Sequence, residues 1–126
     1  MTGKRVLVVE DNEINMEIMM DMLDALGFEV EGADNGQEAV SKLQKAQMGD
    51  FHVVLMDIHM PVMDGYEATK QIRSLDIPLK NIPILAMTGD GLVKDRELAK
   101  AAGMNGFVTK PANIGQILEA IEGVLL

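Results

Sequence analysis

Val53-Val54-Leu55-Met56-Asp57 is a strand-length run, apolar at every position until it stops on a carboxylate. A strand with one wet face alternates polar and apolar residues; an unbroken apolar run belongs to a strand covered on both faces, as in a parallel sheet. Four further segments read as strands. Lys4 to Val9 is a β-branched apolar run that ends at Glu10-Asp11-Asn12, and Phe28 to Ala33 is a second strand. Pro83 to Met87 is a strand ending at Thr88, and Gly106 to Thr109 is the last, ending at Lys110-Pro111.

Helical spacing fills the intervals. Asn15 to Leu26 closes on Gly27, a favourable residue just past a helix end. Asn35 followed by Glu38 marks a capped start for a helix running through Leu43. Asp64 or Gly65 to Leu75, Leu92 to Ala102 (closed by Gly103) and the amphipathic Ile114 to Leu125 complete the set. Five strands alternating with five helices predict an α/β, doubly wound five-stranded parallel sheet. The expected strand order is 2-1-3-4-5, the flavodoxin-like arrangement. No repeat, linker or low-complexity segment interrupts the 126 residues, so one domain over 1–126 is expected.

Ligands of such sheets bind beyond the carboxyl ends of the strands. Here those ends carry Glu10 and Asp11, Asp57, Thr88 and Lys110. Asp and Asn also serve as ordinary turn formers, but four strand ends of five bearing complementary groups outweigh that reading. Two carboxylates about 4 Å apart repel by roughly 4 kcal/mol at an effective dielectric near 20, so three call for a cation. An oxygen-only site suits Mg²⁺. A carboxylate nucleophile, a metal, a lysine and a hydroxyl are the parts of phosphoryl transfer.

Bulk properties narrow the classes further. The net charge of −9 argues against binding to a nucleic-acid backbone. The apolar runs are strand-sized, so no membrane partner is expected. There are no cysteines, which excludes disulfides and thiolate chemistry and fits a cytoplasmic protein. Eleven methionines are many for this length, yet they read first as core filler. On the first helix Met19, Leu23 and Leu26 form the expected buried face, which leaves Met16 and Met20 toward solvent.

The segments Val8-Val9-Glu10-Asp11-Asn12, Leu55-Met56-Asp57-Ile58-His59-Met60-Pro61-Val62-Met63-Asp64-Gly65, Ala86-Met87-Thr88 and Gly106-Phe107-Val108-Thr109-Lys110-Pro111 closely resemble receiver domains of two-component response regulators. The resemblance spans essentially the whole chain. It implies that Asp57 accepts a phosphoryl group from a phosphohistidine on a histidine kinase or histidine phosphotransfer protein, making a 4-aspartylphosphate. It implies a Mg²⁺ site in which Asp11 and Asp57 bind directly, Glu10 acts through water and His59 offers its carbonyl. Lys110 resembles the lysine that pairs with the phosphoryl group, with Lys110-Pro111 resembling the family's cis peptide. Thr88 and Phe107 resemble the switch pair. The implied output face is Leu92–Ala102, Gly106–Thr109 and Ile114–Leu125, within 92–126, and the first helix is the implied docking face for the donor. The chain would assist its own phosphorylation and dephosphorylation rather than turn over a substrate.

Two positions depart from the common pattern: Gly89 follows Thr88, and Phe107 has no hydroxyl. His59 and Asp90, each two residues beyond a site residue, either meet and screen the acyl phosphate or stay apart in solvent; both readings stand at this point. His52 reads as a strand-edge residue, and a helical phosphotransfer bundle does not fit the alternating pattern. A flavin-binding electron carrier would share the sheet order, but Glu10-Asp11-Asn12 repels phosphate and the chain has three Phe, one Tyr and no Trp. A phosphatase with an aspartyl-phosphate intermediate would carry a second acid where His59 stands. The segments around Asn15, Tyr66 and Met87 resemble receivers of hybrid histidine kinases; a stand-alone regulator is the alternative.

Overall fold

β-branched and long apolar side chains give the three central strands their extended backbone and their covered faces. The computed structural model describes residues 3–60, 62–89, 93–109 and 113–125, apart from the side chains of 93 and 94. Its elements run β1 (Arg5–Val9), α1 (Glu13–Ala25), β2 (Glu29–Ala33), α2 (Gly36–Lys45), β3 (Val53–Asp57), α3 (Gly65–Ser74), β4 (Ile84–Thr88), α4 (Val93–Ala102), β5 (Gly106–Thr109) and α5 (Ile114–Leu125). All strand pairs are parallel and the order is β2-β1-β3-β4-β5, as the sequence predicts.

The pleat divides the core in two. Leu7, Val9, Val54, Met56, Ile84 and Ala86 face one way, toward Val40 and Leu43 of α2, Ala68 and Ile72 of α3 and Ala99 of α4. Val6, Val8, Val53, Leu55, Leu85 and Met87 face the other way, toward Leu23 of α1 and Ile117 and Ile121 of α5. Each fully buried Val, Leu, Ile or Met side chain among them contributes about 1.5–3 kcal/mol.

Side-chain caps set the helix starts. Asn12 accepts a hydrogen bond from the Asn15 backbone N–H, so α1 begins two residues before the expected Asn15. Asn35 accepts from Glu38 N–H, while the Glu38 carboxylate accepts from Asp34 N–H, one residue ahead of the cap. Two helices end as their glycines predict: Gly27 and Gly103 have φ of 92° and 103°. Phe28 N–H donates to Leu23 O and Met104 N–H to Ala99 O, closing both ends with the same six-residue turn. His52 is structural, its Nδ1 accepting from Arg5 N–H at 2.9 Å.

Arg73 ties the far edge together. Its guanidinium donates to Gly103 O through Nε and Nη2, to Lys80 O and to Asn105 Oδ1, at 2.8–3.0 Å. Burial lowers its pKa from the usual guanidinium value. One side chain thus joins α3, the loop before β4 and the turn after α4. Arg73→Ala is expected to lower unfolding free energy by about 2–3 kcal/mol, since it strips charge-assisted donors from several carbonyls. Arg73→Lys should recover less than half, because an ammonium cannot span the fork. Urea unfolding of the three proteins measures both.

Candidate functional site

The strand registers bring the acidic residues together. Val9 pairs with Met56 and Asp57 pairs with Met87, so the residues after β1, at the end of β3 and at the end of β4 share one edge. Asp57 and Glu10 are buried, at 5% and 3% exposure, and Asp11 is exposed. One carboxylate oxygen from each of Glu10, Asp11 and Asp57 lies within 4.8 Å of the others. Between the two buried members alone, that separation means a repulsion of roughly 3 kcal/mol at an effective dielectric near 20. The donor set is oxygen only, which fits a hard divalent cation. Glu13 and Asp34 line the adjoining open depression and extend its negative surface.

Neighbouring groups hold the carboxylates in place. Asn15 Nδ2 donates to Glu10 Oε1 at 3.0 Å, and Glu10 N–H is anchored on Ala33 O. The cap that starts α1 early therefore also delivers Asn15 to Glu10. His59 N–H donates to Asp57 Oδ1 at 3.3 Å. The β3–α3 loop folds back so that Gly65 N–H donates to Ile58 O, and Asp64 caps α3 on Glu67 N–H. Val62 in this loop has φ of 71° and is 86% exposed, a left-handed conformation that costs a β-branched residue about 1–3 kcal/mol.

Thr88 is buried at the end of β4, where its hydroxyl donates to Asp95 Oδ2 at 3.5 Å. Phe107 is half-buried on β5, with the Arg96 guanidinium 5.2 Å from its ring centroid. Of the expected site residues, the structure thus groups Glu10, Asp11 and Asp57, with the His59 backbone beside them. Lys110, Pro111 and Asp90 lie outside the described residues, and with Asp90 so does the choice between a His59–Asp90 contact and two side chains apart in solvent. The His59 ring is 4.0 Å from Asp95 Oδ1. Sequence reasoning missed Asp95 and its partner Tyr66, the single tyrosine; an acid in the first turn of a helix was the one signal it offered.

The α1 surface differs from expectation. Met16 and Met20 are half-buried, and their thioethers lie over Gly32 of β2, close enough that a Cβ there would sit 2.8 Å from Met20 Cε and 3.1 Å from Met16 Cε. A strand position without a side chain leaves a shallow floor that two flexible methionines fill. The solvent-facing apolar residues are Ile14 and Ile18, 69% and 53% exposed and one turn apart.

The model of the family described as the response regulator receiver domain matches residues 6–122. The chain belongs to that family. It is 39% identical over 119 residues to two-component system protein A of Emericella nidulans, an alignment covering 94% of this receiver and 17% of the relative. It spans 5–17% of the length of this relative and of the histidine and sensor kinases it matches. Its fold superposes, with a TM-score of 0.88 and 33% identity over 98% of each chain, on the receiver domain of sensor histidine kinase PA1611 from Pseudomonas aeruginosa, described with magnesium coordinated in the active-site cleft. A second match, at TM-score 0.80 and 32% identity over 92% of this chain and 84% of the other, is to the co-crystal structure of the Saccharomyces cerevisiae histidine phosphotransfer protein Ypd1 and the receiver domain of Ssk1. The chain is therefore a receiver of two-component and phosphorelay signalling. Among the described residues no helix is long and apolar enough to cross a membrane.

Gly65 is tightly constrained by the strand end. A Cβ at Gly65 would collide with the backbone carbonyl oxygen of Asp57 and approach Ile58 Cα and Met56 Cγ to 3.0 Å. Gly65→Ala is expected to destabilise the fold by about 2–3 kcal/mol, because the Asp57 carbonyl must give way. Chemical unfolding measures the loss, and the Asp57 and Ile58 amide NMR shifts should move with it.

Proposed function

We propose that Asp57 is the phosphoacceptor of this receiver. The observation that carries the reading is a buried carboxylate at the end of the central strand, with oxygens of Glu10 and Asp11 within 4.8 Å. An Asp57 carboxylate oxygen attacks the phosphorus of a phosphohistidine on a histidine kinase or phosphotransfer protein. The P–N bond breaks, and the departing imidazole nitrogen keeps the electron pair and takes up a proton. Asp11, Asp57 and the His59 carbonyl would hold Mg²⁺, with Glu10 acting through a water, in keeping with their all-oxygen character. When bound, the ion supplies positive charge for the phosphoryl oxygens.

The chain's own residues do the rest. His59 N–H and the loop locked by Gly65 orient the Asp57 carboxylate, and Asn15 orients Glu10. Lys110 pairs with the phosphoryl group and Thr88 donates to it, so that the receiver assists its own phosphorylation and dephosphorylation. Thr88 and Phe107 then bias the 92–126 face toward a downstream protein. Residues 1–126 act as one receiver domain in the cytoplasm, with no nucleic-acid or membrane partner, in keeping with the net charge of −9.

With Mg²⁺ and a small acyl phosphate, intact mass is expected to show a single phosphoryl adduct. The adduct should be absent in Asp57→Asn and absent when the metal is chelated. An adduct that survives Asp57→Asn places the acceptor elsewhere. The exposed pair on α1 is the docking face for the donor. Ile18→Glu should slow transfer from a phosphotransfer protein by about tenfold while sparing the small phosphodonor, because it charges a contact and leaves the cleft untouched. Equal slowing of both, measured by the same adduct, removes docking from α1.

A further inference from the structure

A second carboxylate sits away from the acidic cluster. Asp95, in the first turn of α4, has a side chain only 11% exposed. Three elements point at it. Tyr66 of α3 donates its hydroxyl to Oδ1 at 2.9 Å, Thr88 of β4 donates to Oδ2 at 3.5 Å, and the exposed His59 ring lies 4.0 Å from Oδ1. A buried carboxylate needs donors, and the start of a helix favours its charge.

A threonine hydroxyl has one proton to donate. In this structure the acceptor within its reach is Asp95 Oδ2, at 3.5 Å. If Asp57 carries a phosphoryl group, new anionic oxygens compete for that proton. The Thr88–Asp95 bond is long against the usual 2.7–2.8 Å for hydroxyl donors, and longer than the Tyr66 bond to the same carboxylate, so it is the one more easily given up. Its loss removes a tie between the end of β4 and α4 while Tyr66 keeps Asp95 joined to α3.

We propose that Asp95 is the resting-state acceptor of the Thr88 hydroxyl proton, and so a positioning residue that sets how readily phosphorylation draws Thr88 away from α4. This rests on the reading of Asp57 as acceptor and Thr88 as switch. It assigns to one carboxylate the weak hold that the switch releases.

The test is a beryllofluoride titration of Mg²⁺-loaded protein, followed by methyl and amide NMR. Asp95→Asn keeps the shape of the side chain and removes its charge. It is expected to bind beryllofluoride about fivefold more tightly than wild type, the range of one modest hydrogen bond. In a Thr88→Val background the same substitution should change affinity by less than twofold, a dependence that a purely structural role for Asp95 would not produce. In wild type, three-bond couplings should show the Thr88 χ1 rotamer changing on beryllofluoride binding. Unchanged or weaker binding in Asp95→Asn overturns the proposal, and so does a fivefold gain that persists in Thr88→Val. Should Asp95→Asn fail to fold, Asp95→Ser and the wild-type couplings decide, and a Thr88 rotamer indifferent to beryllofluoride counts against it. If wild type binds no beryllofluoride while remaining folded, the Asp57 reading itself falls and takes this one with it.

Discussion

The site depends on β3 being covered on both faces. All five of its residues are buried, including the terminal Asp57, so its carboxylate emerges at the strand's end with little solvent around it. A strand on the sheet edge would leave that carboxylate hydrated and free to turn. Between β1 and β4, the backbone of β3 is fixed by hydrogen bonds on both sides, and the two registers then place Glu10 and Thr88 on the same edge. Position here is a property of the ladder rather than of any one side chain.

That placement concentrates like charge, and the surroundings answer it locally. Asn15 donates to Glu10, the His59 backbone donates to Asp57, and the oxygen-only donor set leaves a place suited to a hard cation. The left-handed Val62 and the close approach of Gly65 to the Asp57 carbonyl show how tightly the β3–α3 loop is drawn against the strand end. Asp95 is organised differently. It lies on a helix start and gathers hydroxyl donors from α3 and β4, so its hydrogen bonds connect elements that the acidic cluster does not reach. One group of carboxylates gathers oxygen donors at the strand ends, and Asp95 links α3 to the end of β4.

Much of this was legible beforehand because the relevant signals are local. Apolar runs of strand length, Asn35 with Glu38, and Gly27 and Gly103 each act through near neighbours, and each appears where expected. The helix start at Glu13 was displaced by two residues because the Asn12 cap bond to Asn15 decides it, and periodicity alone does not see caps. The exposed pair on α1 was misassigned for a different reason. Met16 and Met20 look solvent-facing on a helical wheel, but Gly32 on a neighbouring strand gives them a floor to cover, which turns Ile14 and Ile18 outward.

By itself the sequence determined the order of elements, the parallel sheet and the chemistry at its carboxyl edge. Strand-length apolar runs can be buried only between two layers of helices, and the residues that follow such strands must share an edge. Tertiary structure alone decided which oxygens approach within 4.8 Å, which methionines are covered, and that Tyr66, Thr88 and Asp95 meet. Tyr66 and Asp95 are 29 positions apart in the chain and on different helices. Contacts of that kind depend on how helices seat against a sheet, a packing problem with no counterpart in local sequence.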